Sequence, residues 1–328
     1  MDSQTNLKVF DTPVLLLIFN RPDVTERVFA EIRKLKPKRL FIAADGPRAH
    51  KPNDPDLCLQ TRNMVKDVDW DCEVKQLYRN DNLGCKLAVS SAITWFFSQV
   101  EYGIILEDDI LPHPSFFPYM QEVLKRYKDD DRVMMVSGYN TQHGQKRSDA
   151  SYYFSHYPHI WGWGTWKRAW DKYDVKIDRL AEFKRQNQIA NLFDDPVVQE
   201  FWMDKFQMVH DNKYDTWDFQ WVYTVFSEAG LCVQPNVNLV SNIGFDMNAT
   251  HTTFSGAEEA NLQTYDIGEI VHPDFIIADR AADEYEVEHI FHLTATPLIR
   301  RPVSLQRKVL RQIPQPVKDA VKTLVGKQ

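Results

Sequence analysis

Gly103-Ile104-Ile105-Leu106-Glu107-Asp108-Asp109-Ile110 runs four uncharged residues into three adjacent carboxylates, and the chain leaves through Leu111-Pro112-His113-Pro114. An apolar strand ending in an acidic turn has this form. Ligands of open parallel sheets bind beyond the carboxyl ends of the strands, so these acids are expected to face a ligand. Three neighbouring carboxylates repel one another and gain nothing from burial, which makes a bound cation the simplest reason for them. An acidic surface turn is the alternative, and the order of the flanking elements weighs between the two.

Upstream, Pro13 to Phe19 is a continuous apolar run stopped by Asn20-Arg21-Pro22, the pattern of a strand buried on both faces. Asp23 and Glu26 have the spacing of a capping box, and Val24, Val28, Ile32 and Leu35 follow at helical intervals. The unit then repeats. A second apolar run, Arg39 to Ala44, ends in Asp45-Gly46-Pro47; a helix is expected over 57–68, and a strand over 73–78 ends in Arg79-Asn80-Asp81-Asn82-Leu83-Gly84. Val89, Ile93, Phe96 and Phe97 mark a helix that feeds the acidic strand. Beyond it, Ser115 can cap a helix carrying Phe116, Met120, Val123, Leu124 and Tyr127, and 133–136 is one more strand. Such alternation predicts an α/β fold, a mainly parallel, doubly wound sheet with helices on both faces.

After about Gly138 the alternation fades and aromatics take over. Tyr152-Tyr153-Phe154 reads as a short strand. Trp163, Trp166 and Trp170 fall at i, i+3 and i+7, which predicts one helical face. They form either a core stripe or, for Trp161 and Trp163 beside Gly162 and Gly164, a stacking platform for a sugar or other flat ligand. An exposed helix over 174–191, an amphipathic one over 197–209, a further helix starting within 215–221 and short strands over 231–235 and 237–240 complete the expected elements.

The chain has 328 residues, enough for a large buried core, and its 43% hydrophobic and 26% charged content is that of an ordinary globular protein. A formal charge of -7 argues against nucleic acid as a partner, since phosphates need a basic surface. Charge is uneven: from Leu298 onward eight Lys or Arg face the single acid Asp319, leaving the tail about +7 and the body about -14. That tail interleaves Arg300, Arg301, Arg307, Lys308 and Arg311 with Val303, Leu305, Val309, Leu310 and Ile313. It suits either a peripheral contact with an anionic membrane or a packed terminal helix. Cys58, Cys72, Cys85 and Cys232 have no metal spacing and read as free thiols of a reducing compartment. Val14 to Phe19, the one apolar run near the N-terminus, is too short for a signal or membrane segment. A cytoplasmic location is expected, with peripheral contact at the inner face of the membrane if the tail rests there.

Taken together, Phe19-Asn20-Arg21-Pro22, Ala44-Asp45-Gly46-Pro47, Arg79 to Gly84, Leu106-Glu107-Asp108-Asp109, Trp161-Gly162-Trp163-Gly164 and a late His251 stand in an order that resembles the nucleotide-sugar glycosyltransferases of the GT-A fold. The acid motif is similar to that of the family that adds N-acetylglucosamine to the mannose core of N-glycans, and to its bacterial relatives. The strict Asp-x-Asp form is absent. The resemblance implies one GT-A domain over 1–297, with a nucleotide-sugar half over 1–140 and an acceptor half over 141–297, followed by the basic tail over 298–328. It further implies a UDP-sugar donor, Mn²⁺ or Mg²⁺ held by Asp109 with His251 as a further ligand, and Asp108 at the ribose or a metal-bound water. Glu107 would hold the turn, and Asp45 would accept the ring N–H of uracil, although Asp-Gly-Pro is also a plain turn. Phe19, Asn20 and Arg21 follow the first strand and would reach the base or phosphates. Arg79 and Lys86 flank Leu83-Gly84 at a helix start that favours phosphate, unless both are solvated surface charges. By chain order Asp218 is the base that activates the acceptor hydroxyl, with Asp215 as the alternate and helix capping as the plainer role for either. Inversion at the anomeric carbon of the sugar moved to a glycan or lipid-linked acceptor follows.

Two other functions compete with this one. A sugar nucleotidyltransferase shares the sheet and an acidic metal site, but wants a Gly-rich basic loop after the first strand, and Phe19-Asn20-Arg21-Pro22-Asp23-Val24 has no glycine. A non-catalytic nucleotide-sugar-binding protein would tolerate Asp109→Ala and Asp218→Ala.

Overall fold

The computed structural model describes residues 10–244 and 261–293. Every residue of β1 (Val14–Ile18) is buried. Each of its apolar side chains contributes about 1.5–3 kcal/mol by leaving water, and none has a polar atom to satisfy. The chain then enters α1 (Pro22–Leu35), where the missing N–H of Pro22 costs nothing because the first turn leaves its donors unpaired anyway. Helix α1 starts one residue before Asp23, with Arg21 at the cap and no side-chain cap bond, so the expected capping box does not form. Val24, Val28, Phe29 and Ile32 are its buried face.

β2 (Arg39–Ala44), α2 (Asp54–Met64), β3 (Glu73–Tyr78), α3 (Gly84–Phe97), β4 (Tyr102–Glu107), β5 (Ile110–Pro112), α4 (Phe116–Arg126) and β6 (Val133–Ser137) follow. The second part holds β7 (Tyr152–Ser155), β8 (Trp163–Trp166), α5 (Lys167–Trp170), α6 (Leu180–Arg185), α7 (Pro196–His210), α8 (Asp218–Ser227), β9 (Leu231–Pro235), β10 (Val240–Asn242) and α9 (Arg280–His289). Eight strands form one sheet in the order β3-β2-β1-β4-β8-β6-β9-β7, and β5 pairs with β10 separately. Within the sheet, β3, β2, β1 and β4 are mutually parallel, as are β6 and β9. β8 and β7 run against their neighbours. This is a Rossmann-like, mainly parallel α/β sheet. Its chain builds outward from β1 through β2 to β3 and then returns to β4 on the other side of β1. That reversal opens a crevice at the carboxyl ends of β1 and β4, the place where such sheets bind ligands.

Two expected elements differ in the structure, and a third element was not expected. Trp163, Trp166 and Trp170 do not share a helical face, because Trp163 and Trp166 lie on strand β8 and only Trp170 is on α5. Trp163 packs on Trp217, Trp221 and Trp170, with ring centroids 5.6, 5.7 and 6.3 Å away. The indole of Trp166 instead donates to the Leu124 carbonyl at 3.0 Å. Strand pairing with β4 and β6 outweighed the helical spacing. Likewise 174–191 is not one helix. The Asp174 carboxylate accepts from the backbone of Lys176 at 2.9 Å and Asp178 at 2.6 Å, a local turn that competes with helix. Ile177 and Asn187 are left-handed, leaving only the short α6 and a 3₁₀ turn, Gln188–Asn191. Finally, α9 has no counterpart in the expected elements. Its Asp283 and Glu286 are buried and bind His156 Nδ1 at 2.6 Å and His159 Nε2 at 2.8 Å. Buried acids disguised this helix as exposed sequence.

One compact unit ends at Phe291. The basic tail lies outside the described residues, as does His251. Among the described residues no helix is long and apolar enough to cross a membrane.

Candidate active site

A cavity of about 500 Å³ occupies the crevice at the ends of β1, β2 and β4. Phe19, Arg21, Asp45, Arg79, Gly84, Glu107, Asp108, Asp109, Trp161, Asp215 and Asp218 all line it. It is charged where the strands end and apolar against α3, where Ala88, Val89 and Ala92 face Leu17 and Ala43.

The acid motif splits in two. Asp108 and Asp109 turn toward Arg21, whose Nη2 donates to Asp108 Oδ1 at 2.5 Å and Asp109 Oδ2 at 2.8 Å. The Phe19 amide also donates to Asp108 Oδ2 at 3.3 Å, so both oxygens of that nearly buried carboxylate are committed. Burial alone would lower the pKa of Arg21, but the two carboxylates outweigh it and the guanidinium stays charged. Asp109 keeps one oxygen that accepts from no described residue, and Gly244 passes so close to the other that a Cβ there would collide with it. Glu107 goes elsewhere. Its register partner on β1 is Leu17, itself opposite Ala43 on β2, so it stands on the sheet face toward α3. No described residue hydrogen-bonds its carboxylate. Burial first, and then the charges of Asp109 and Asp108, push its pKa above the ordinary carboxylate range.

At the far end, the carboxylate of Asp45 accepts from the Leu83 amide, at 3.0 and 3.1 Å to its two oxygens, and from Asn82 Nδ2 at 2.9 Å. It therefore ties β2 to the loop before α3 while still lining the cavity. Burial raises its pKa, and the bonds from the Leu83 amide oppose the rise. Arg79 donates to Ser91 Oγ at 2.8 Å, and Arg62 braces the corner by donating to the carbonyls of Asp45 and Arg79.

The remaining wall is the loop before α8. Asp215 accepts from the Cys85 amide at 3.1 Å and the Lys86 amide at 3.2 Å, which makes it the cap of α3 from outside that helix. Gly84 permits this approach: its φ is +78°, and a Cβ there would stand 2.6 Å from Asp215 Oδ2. Three residues later, Asp218 Oδ1 accepts from the Thr216 hydroxyl and from the Phe219 amide, the latter at 2.8 Å. Its Oδ2 accepts from no described residue. A carboxylate with one oxygen fixed and the other facing a cavity is placed to take a proton.

Three residues expected at the site stand elsewhere. Trp163 is 0% exposed and belongs to the core, so it offers no face to an acceptor, whereas Trp161 lines the cavity. Asn20 points behind the wall, donating to Asp54 Oδ1 at 2.9 Å. Lys86 Nζ donates to Asn212 at 2.8 Å outside the lining, and Asp215 already holds the helix start that was expected to receive phosphate. Sequence reasoning missed Arg48, Asn82 and Tyr214 as lining residues. Asn82 stood inside a quoted motif, but the partner that gives it a role, Asp45, comes only with folding. Arg48 carried one signal, a cation just after Asp45-Gly46-Pro47 with Asp54 six residues on.

No described protein family matches the sequence, and no curated protein matches it. Solved structures with some likeness include HddC from Yersinia pseudotuberculosis, 11% identical, covering 51% of this chain and 83% of that one with a TM-score of 0.30. Another is 4-diphosphocytidyl-2C-methyl-D-erythritol synthase from Anaerococcus prevotii, 11% identical over 53% of this chain and 84% of that one, TM-score 0.32. A third is a UDP-glucose pyrophosphorylase complexed with UDP-glucose, 11% identical over 44% of this chain and 62% of that one, TM-score 0.24.

Proposed function

We propose that the protein is a metal-dependent, inverting glycosyltransferase of GT-A type that moves a sugar from a UDP-sugar to a hydroxyl of a glycan or lipid-linked acceptor. The observation that carries this reading is the convergence of an acid motif, a polar corner at Asp45, Asn82 and Arg79 and a half-free carboxylate on one cavity at the β1/β4 reversal. Asp45, Asn82 and Arg79 suit the base, the ends of β1 and β4 suit the diphosphate, and Asp218 Oδ2 suits the proton of the acceptor hydroxyl. Trp161 offers the acceptor sugar an apolar face.

The lining holds six acids, Asp45, Glu107, Asp108, Asp109, Asp215 and Asp218, against three arginines, Arg21, Arg48 and Arg79. A diphosphate adds negative charge to that excess, so a divalent cation fits here. Among the described residues no three His, Cys, Asp or Glu form a ready cage; Mg²⁺ and Mn²⁺ accept one or two carboxylates with phosphates supplying the rest. The uncommitted oxygen of Asp109 suits that role. Such an ion stabilises the charge that develops on a departing diphosphate. Arg21 keeps the two aspartates in place from below.

The nucleotidyltransferase reading keeps the support of those neighbours' names, and against it stands the tight turn in which α1 begins at Pro22, with Arg21 turned to the acids. One assay separates the two. With Mn²⁺, the transferase reading expects UDP release from UDP-sugars, largely lost in Asp218→Asn. The rival expects pyrophosphate from UTP and a sugar 1-phosphate, and that result would replace our reading.

A further inference from the structure

Arg48 is a lining residue for which the reading above gives no task, and it is held from several sides. Its Nε donates to Asp54 Oδ2 at 2.6 Å, its Nη2 to Asp54 Oδ1 at 3.0 Å, and its own amide to Asp54 Oδ2 at 3.1 Å. Asp54 is 3% exposed and is itself held by Asn20 Nδ2 at 2.9 Å. So anchored, the guanidinium lies over the Phe19 ring, 5.2 Å from its centroid, and both groups line the cavity.

We infer that Arg48 is a nucleobase-binding residue, the planar surface on which the base of the donor rests; this assignment depends on the nucleotide-sugar reading above. Two facts favour a base over a phosphate. The lining nearest in sequence is Asp45, whose carboxylate carries three bonds and keeps capacity for one more donor, such as a ring N–H. A guanidinium fixed in orientation also stacks on a flat ring at little further entropic cost. Asp54 is then a positioning residue that acts through Arg48.

Calorimetric titration of uridine, UMP and UDP into wild type, Arg48→Lys and Arg48→Ala tests this. Lysine keeps a charge beside Asp54 but lacks the plane. The expected result is a loss of about tenfold in affinity for both variants, by the same factor for all three ligands, as for one stacked base. Asp54→Asn should give a smaller loss with the same equality, because Arg48 stays but is less fixed. A loss that grows with the number of phosphates would make Arg48 a phosphate ligand and overturn the assignment. Unchanged affinity in Arg48→Lys, whose fold is checked by its melting curve, would reduce Arg48 to a loop brace and overturn it equally. Wild type that binds none of the three would defeat the nucleotide-sugar reading first, and the assignment with it.

Discussion

The two walls of the cavity are made differently. The wall at the ends of β1, β2 and β4 has most of its charges paired in advance, Glu107 and one oxygen of Asp109 excepted: Arg21 with Asp108 and Asp109, Arg48 with Asp54, and Asp45 with Leu83 and Asn82. Opposite it, the loop before α8 ties down Asp215 but leaves Asp218 with only one oxygen engaged. Pre-paired groups hold their orientation before a ligand arrives, so they suit binding. A half-free carboxylate suits chemistry, which needs a lone pair that is not already spent.

Separating the walls by mutation should separate binding from rate. Asp218→Asn, on the open wall, is expected to lower kcat by about 10²–10⁴-fold while UDP affinity stays near wild type, measured by product formation and calorimetry side by side. Equal loss of both would erase the distinction. On the paired wall, Arg21→Ala leaves Asp108 and Asp109 facing each other with their shared cation gone, and breaking such a buried pair costs about 3–5 kcal/mol. Chemical denaturation should show that loss, and Arg21→Met/Asp108→Asn should recover much of it. Asp215 offers a finer cut. As a cap on α3, its replacement by Ala should cost about 1 kcal/mol, and Asn, a good cap itself, should cost much less and keep activity. An inactive but stable Asp215→Asn would make Asp215 the base instead.

The smallest effect concerns acid. The hydrogen bond from Arg48 holds the Asp54 carboxyl below the ordinary carboxylate range, against the opposing effect of burial. A lowered folded-state pKa adds stability above the unfolded value of about 3.9 and loses it as pH falls through the folded value. Asp54→Asn should therefore be less stable than wild type at pH 7, and urea midpoints taken down to about pH 2 should converge. A gap that stays constant with pH would mean that Asp54 acts by packing alone.

The same contrast governs what the sequence makes legible. The wall at β1 and β4 is written in local patterns: apolar runs, a Pro stop and an acid turn, each fixed within a few residues. Most of its site residues can be named before folding, although the split between Glu107 and its two neighbours cannot, since β4 ends at Glu107 and the turn that aims Asp108 and Asp109 at Arg21 comes only with folding. The opposite wall depends on long-range contacts. Asp215 finds its partners 129 and 130 residues away on α3, and Trp163 meets Trp217 and Trp221 only across the fold. Nothing in the local spacing of those residues marks which tryptophan faces solvent. Trp161 and Trp163 look alike in sequence, yet β8 begins at Trp163 and buries it.

A nucleoside diphosphate binds at the β1/β4 crevice in the proposed reaction, and thermal unfolding of the full chain with UDP, with and without Mn²⁺, tests that most directly. A ligand at about 100 times its Kd adds about 2.7 kcal/mol, which moves a chain of this size by several degrees. The expected result is a rise in Tm with UDP and Mn²⁺ together, much reduced without the metal and in Asp109→Ala. Millimolar UDP with Mn²⁺ that leaves the wild-type Tm unmoved would contradict the account.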